Sequence, residues 1–260
     1  MIGQAWELAL GLVLIAALAA ASSVKRYLSA GGVAAAVVIG AGVLVAGGLG
    51  WLVVLMAFTI MGSVLTRAGA DLKGVLSELK ADRGAKNVLA NGLPPLLFAI
   101  ASSTVPGPPW SIAFTAAVAA AASDTVSTEV GMLSKSLPRR MTRPWKKVEP
   151  GISGGVSALG LIAGLLASSA ISLIASALGI IVEPGHVALA AAAGFVGDLL
   201  DSLMGDLAEV KYRCGAVLTE DPSGCDGPVE RVGNPIINKH TVNAIAISAA
   251  GALALLLYHV

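Results

Sequence analysis

The chain has 260 residues, of which 56% are hydrophobic and only 13% charged, and its formal net charge at pH 7 is +1. That is about half the charged fraction of a soluble domain, and a near-neutral chain has no bulk attraction for nucleic acid. A soluble globule and a nucleic-acid partner are both excluded, and so is a transmembrane barrel, whose alternating polarity is absent.

Apolar stretches of about 20 residues, the length that crosses a bilayer as a helix, recur along the chain. They predict an all-α, polytopic transmembrane bundle of about eight spans: 5–23, 31–46, 51–66, 88–105, 110–134, 155–182, 187–207 and 240–259. The count falls to seven if residues 31–66 contain a re-entrant turn. Residues 1–260 read as a single integral-membrane domain. No basic segment precedes the first apolar core, which marks a retained helix and not a cleaved signal. Three joints, 47–50, 106–109 and 183–186, are short and rich in glycine and proline, as helix ends require.

Orientation follows from charge. All 17 Lys and Arg fall in alternate connections, at 25–26, 67–86, 135–147 and 211–239. The short joints carry none. The positive-inside rule then predicts long cytoplasmic loops, both termini outside, and residence in the cell membrane.

Against this apolar background, carboxylates stand out. Asp124 and Glu129 fall in the fifth span; Asp198, Asp201 and Asp206 fall in the seventh. A carboxylate at mid-bilayer costs roughly 3 kcal/mol and is a functional candidate by default. The predicted topology moves both groups to the cytoplasmic ends of inward-running helices. Asp124 and Thr128 share a helix face, Glu129 lies at a skewed angle, and Asp198, Asp201 and Ser202 share another face. Gly194, Gly197 and Gly205 permit close helix approach. If the two helices pack, their carboxylates repel unless a cation is present. Mg²⁺ takes oxygen ligands and binds substrate phosphates beside them. Asp124, Asp198 and Asp201 are therefore candidate catalytic residues and metal ligands, with Glu129 as a further ligand or support. The plainer reading is polar glue between helices. Asp206 and Glu209 read as solvated at the interface.

Two further segments could hold anions. Arg83-Gly-Ala-Lys-Asn-Val-Leu-Ala-Asn-Gly92 enters span four, where Arg83 and Lys86 flank a helix N-terminus suited to phosphate. Asn87 and Asn91 point one way, which topology alone does not require. Residues 149–157 bring Ser153, Gly154 and Gly155 to the head of span six, where glycine lets backbone N–H groups approach a phosphate. The basic loop 135–147 reads as an anchor to anionic lipid heads. Neither a Walker A pattern nor a Ser/His/Asp set appears. Cys214 and Cys225 read equally as free thiols or a disulfide, and with His240 as the nearby histidine they fall short of a zinc site.

In order, Arg83–Gly92, Ser123-Asp-Thr-Val-Ser-Thr-Glu-Val-Gly131, Pro150-Gly-Ile-Ser-Gly-Gly-Val-Ser157, Gly194-Phe-Val-Gly-Asp-Leu-Leu-Asp-Ser-Leu-Met-Gly205 and the closing 238–243 stretch resemble the phytyl-phosphate kinase family. The family comprises the plant vitamin E pathway enzyme and its membrane-embedded relatives. The resemblance spans about residues 60–245. It implies transfer of a nucleotide γ-phosphoryl, from CTP or another nucleoside triphosphate with Mg²⁺, to an isoprenyl monophosphate, giving the diphosphate. It adds Asn91 and Asn243 to Arg83, Lys86, Ser153, Gly154 and Gly155 as substrate contacts. The sequence departs from the family at Ile152-Ser153, where Thr followed by Asn or Asp is usual, and has fewer cysteines in its last loop. Phosphoryl transfer needs positioning and charge neutralisation more than covalent chemistry, which suits such a residue set.

The expected partners are the bilayer, the isoprenyl phosphate and the nucleotide, with a homodimer left open. Two rival functions use the same features. A CTP-dependent lipid cytidylyltransferase shares the acids and the nucleotide. An ion or phosphate transporter shares the intramembrane acids and glycine-rich helices, but the outer halves of spans five and seven offer almost no polar residues for a path across.

Overall fold

The computed structural model describes residues 2–73, 84–105, 109–215, 217–219, 227–232 and 236–259. Among these, eight helices run in chain order: α1 (Ile2–Val24), α2 (Ala30–Gly47), α3 (Leu49–Lys73), α4 (Ala85–Thr104), α5 (Trp110–Gly131), α6 (Ala158–Ala177), α7 (Pro184–Leu207) and α8 (Lys239–Leu257). Six of them are long and apolar enough to cross a membrane; α4 and α5 are not among the six. The proline pair Pro94-Pro95 and the two asparagines of α4, and the Ser/Thr/Asp-rich end of α5, dilute their hydropathy. Exposed Leu12, Val13, Val45 and Leu166 on α1, α2 and α6 form surfaces that lipid would cover.

Between residues 31 and 66 there is no re-entrant turn. Two full helices meet at Gly48, whose φ of +87° no β-carbon favours. Span six is shorter than expected. Ser157 caps α6 by accepting a bond from the Gly160 N–H (3.1 Å), and Gly179 at φ +72° follows its end. The residues ahead of it join a small sheet.

The connections are not simple polar loops. Between α5 and α6, β1 (Arg139–Arg140), β2 (Arg143–Lys147) and β3 (Gly155–Val156) pair antiparallel in the order β2-β1-β3. Between α7 and α8, β4 (Lys211–Cys214), β5 (Val217–Thr219) and β6 (Val229–Val232) pair in the order β5-β4-β6. Cys214 at the end of β4 is disulfide-bonded; Cys225 lies outside the described residues.

The core is α5. Every residue from Ile112 to Ser123 is buried, against α3, α4, α6, α7 and α8. A helix of small apolar residues on all sides can be enclosed by neighbours in this way. A β-carbon at Gly197 would meet those of Ala120 (2.8 Å) and Ala250 (2.9 Å), so α5, α7 and α8 touch only because that position is glycine. Trp51 packs on Phe114 at 4.4 Å between ring centres, closing the opposite side against α3.

Helices alternate in direction. The first turns of α2 and α4 meet at Gly31 and Ala85, and the end of α5 meets the start of α6 through the Ser157 hydroxyl and the Gly131 carbonyl (3.4 Å). At the other end, Gly50 of α3 lies beside Leu178 and Ile180 beyond α6. Both sheets and the basic connections therefore share one end of the bundle, and the acid-bearing turns of α5 and α7 lie at that end.

Candidate functional site

The carboxylates separate into four environments. Asp198 is 2% exposed. Its Oδ2 accepts from the Ser123 hydroxyl (2.7 Å) and its Oδ1 from that of Ser127 (3.1 Å), both on α5. A β-carbon at Gly164 of α6 would lie 2.6 Å from Asp198 Oδ2. Asp198 thus ties three helices together at a point where only glycine leaves room.

Glu129 faces a different neighbour. Its Oε1 accepts from the Thr66 hydroxyl of α3 at 2.7 Å. The skewed angle between Asp124 and Glu129 along α5 places them towards different helices.

Asp206 is not solvated, contrary to expectation. Its side chain is fully buried, and it receives bonds from the Arg140 guanidinium and from the Thr142 N–H (2.9 Å) and hydroxyl. Glu209 is also buried, at 7% exposure. The connection between α5 and α6 folds over the end of α7 and removes Asp206 from water.

The fourth environment is the one with chemical capacity. Asp124 of α5, Asp201 of α7 and Asn243 of α8 line a narrow crevice with Ala120, Gly197, Ala246 and Ile247. Asn91 of α4 joins from the side: its amide nitrogen donates to the Asn87 carbonyl (2.8 Å), leaving its oxygen turned to Asn243. In one orientation the Asn243 amide nitrogen reaches Asp124 Oδ2 (3.3 Å) and Asn91 Oδ1 (3.5 Å). In the other, which satisfies more partners, it donates to the Lys239 carbonyl (2.6 Å) and to Asp201 Oδ1 (3.1 Å). One amide cannot donate to both carboxylates from opposite ends. The amide therefore links the two carboxylates, reaching Asp124 in one orientation and Asp201 in the other.

Among the described residues, no three His, Cys, Asp or Glu side chains are placed as a ready metal cage. The structure brings Asp124 and Asp201 together with the two asparagines, and leaves Asp198 and Glu129 engaged by hydroxyl groups elsewhere. The oxygen-only donors of the cleft nevertheless suit Mg²⁺, which commonly takes one or two carboxylates and completes its shell with water and substrate phosphate.

The cleft has a basic edge. Lys86, exposed in the first turn of α4, and Lys239, exposed in the first turn of α8, both act electrostatically on His240. Among the described residues, His240 Nδ1 is buried without a hydrogen-bond partner. Asn238 caps α8 by accepting from the N–H groups of His240 (3.0 Å) and Thr241 (3.3 Å), which sets these residues beside the cleft. Sequence reasoning missed Lys239 and His240; the signal was present, since they head a helix that also carries Asn243. Arg83 lies outside the described residues.

Ser153 and Gly154 meet α7 at Gly205. A β-carbon there would lie 3.2 Å from Ser153 Cβ and from the Gly154 nitrogen. Gly205 is one helical turn beyond Asp201, on the same face. Gly155 is held in the small sheet opposite Arg140.

The model of the family described as integral membrane protein DUF92 matches residues 13–251. An uncharacterized membrane protein of Methanocaldococcus jannaschii is 32% identical over 253 residues, 97% of this chain and 94% of its own length. Protein VTE6, chloroplastic, of Arabidopsis thaliana is 26% identical over 238 residues, 88% of this chain and 65% of that protein. Protein PGR of the same plant is 31% identical over 136 residues, 48% of this chain and 46% of that protein. No solved structure matches the chain. With a family match over nearly its whole length and a full-length archaeal relative, the chain belongs to the DUF92 family of integral membrane proteins.

Proposed function

We propose that this protein is a membrane-embedded phosphotransferase that converts an isoprenyl monophosphate, such as phytyl or geranylgeranyl phosphate, to its diphosphate. The donor is a nucleoside triphosphate, CTP first among them. The observation that carries the reading is the Asn243 amide held between Asp124 and Asp201, a group of oxygen donors that suits a cation, with Lys239 acting on Asp201 from the head of α8. The motif resemblance to the phytyl-phosphate kinase family supports the substrate class, and the chain aligns with the VTE6 protein over 238 residues.

Asp124 and Asp201 would hold a divalent ion, and Asn91 and Asn243 would fix their orientation. The ion would neutralise charge on the transferring phosphoryl group. Lys86, with Arg83 from the same motif, would grip phosphate oxygens. An oxygen of the prenyl phosphate attacks the γ-phosphorus, the bond to the β–γ bridging oxygen breaks, and the nucleoside diphosphate leaves. The attacking oxygen is already anionic, so no strong general base is needed. Positive-inside charge supports a cleft on the cytoplasmic side. The outer stretch of α5, buried on all sides by protein, speaks for a site open to one face and against a transport path.

Purified protein is expected to transfer label from γ-labelled nucleotide to a prenyl phosphate, with release of nucleoside diphosphate. Release of pyrophosphate instead indicates cytidylyl transfer. Failure with every prenyl phosphate and every nucleotide overturns the reading.

A further inference from the structure

The fully buried carboxylate of Asp206 lies outside the cleft, and its partners all come from one connection. Arg140 of β1 gives its guanidinium to Asp206 Oδ1 and, at 3.2 Å, to the Asp206 carbonyl. Thr142, in the turn after β1, gives N–H and hydroxyl to Oδ2. Between them, the Met141 N–H donates to the Gly154 carbonyl at 2.8 Å. One turn of three residues thus holds α7 on one side and the glycine loop on the other.

Gly154 fits this clamp for two reasons. Its φ is +78°, and a β-carbon there would lie 2.4–2.5 Å from the Asp206 backbone and Cβ. The loop lies directly on α7, and Ser153 fills the space that Gly205 leaves, one turn from Asp201. A buried carboxylate with charge-assisted donors is a rigid fastener, because opening it strands a charge away from water.

We propose that Asp206 is a positioning residue: through Arg140 and Thr142 it latches residues 153–155 over the Asp201 face of α7 as a cover for the nucleotide phosphates. The cover rests on the kinase reading above; the latch itself does not.

The test uses full-length protein in detergent, a fluorescent CTP analogue and amide hydrogen exchange. Asp206→Asn and Gly154→Ala are both expected to speed exchange across residues 139–157 by about tenfold or more and to weaken analogue binding by about tenfold, with α7 protection intact. Gly154→Ala leaves the Arg140 and Thr142 side chains unaltered but crowds the Asp206 backbone, so retained α7 protection is the readout that separates loss of the cover from collapse of the helix end. Thr142→Ser should bind the analogue more tightly than Thr142→Val, because it keeps the hydroxyl. Faster exchange with unchanged binding overturns the cover. Unchanged exchange overturns the latch. A wild-type protein that binds no nucleotide overturns the cover together with the kinase reading.

Discussion

Asp198 and Asp201 sit three residues apart on the same face of α7, yet their surroundings are opposite. Asp198 is enclosed by two serine hydroxyls and the bare backbone of Gly164, and each of its oxygens has a donor. Asp201 shares one amide with Asp124 across a cleft, and that amide can serve only one of them. Asp206, one turn further on, again has a full set of donors. The difference separates two uses of a costly group. A carboxylate with a hydroxyl donor on each oxygen ties helices together, whereas the Asp124–Asp201 pair, bridged by one amide, is the one proposed above to hold the ion.

Four variants can break or sharpen that contrast. The largest effect is expected from Asp201→Asn, which should lower phosphoryl transfer by about 10²–10³-fold while leaving thermal stability in detergent near wild type. Asp198→Ala should do the reverse in kind. Stranding the two serines should cost about 1–3 kcal/mol of stability, read as a lower melting temperature. If Asp198→Ala melts like wild type but loses all turnover, the contrast is wrong and Asp198 belongs to the site.

An intermediate effect is expected from Asn243→Ala. Removing a group that orients metal-binding carboxylates usually costs about 10–100-fold in ion affinity, so the Mg²⁺ concentration for half-maximal activity should rise by that factor. An unchanged Mg²⁺ requirement would detach Asn243 from the ion. The smallest effect belongs to Glu129→Gln. The amide oxygen can still accept from Thr66, so turnover should stay within about threefold of wild type, on the scale of one neutral hydrogen bond. A loss approaching that of Asp201→Asn would return Glu129 to the ligand set.

Much of the site was legible in the chain. Spacing along a helix identified the Asp198–Asp201–Ser202 face, and motif order brought in Asn91, Asn243 and the glycine loop. What spacing could not supply was the partner of each carboxylate. Ser123 and Ser127, four residues apart, share a helix face, but nothing in the sequence says that this face meets Asp198 and not lipid. Asp206 was misjudged because its donors, Arg140 and Thr142, lie more than 60 residues away in a connection that looked like a lipid anchor.

By itself, the sequence determined the class of the protein. Runs of about 20 apolar residues cannot leave a bilayer cheaply, and grouping of the basic residues sets which connections share an end. Those are one-dimensional properties of the chain. The tertiary structure decided that α5 is the enclosed centre of the bundle, that the connections fold into sheets, and which acids are satisfied. Each depends on how closely helix backbones approach. That distance is set jointly by side chains from several helices, as at Gly164, Gly197 and Gly205, and no single stretch of sequence contains it.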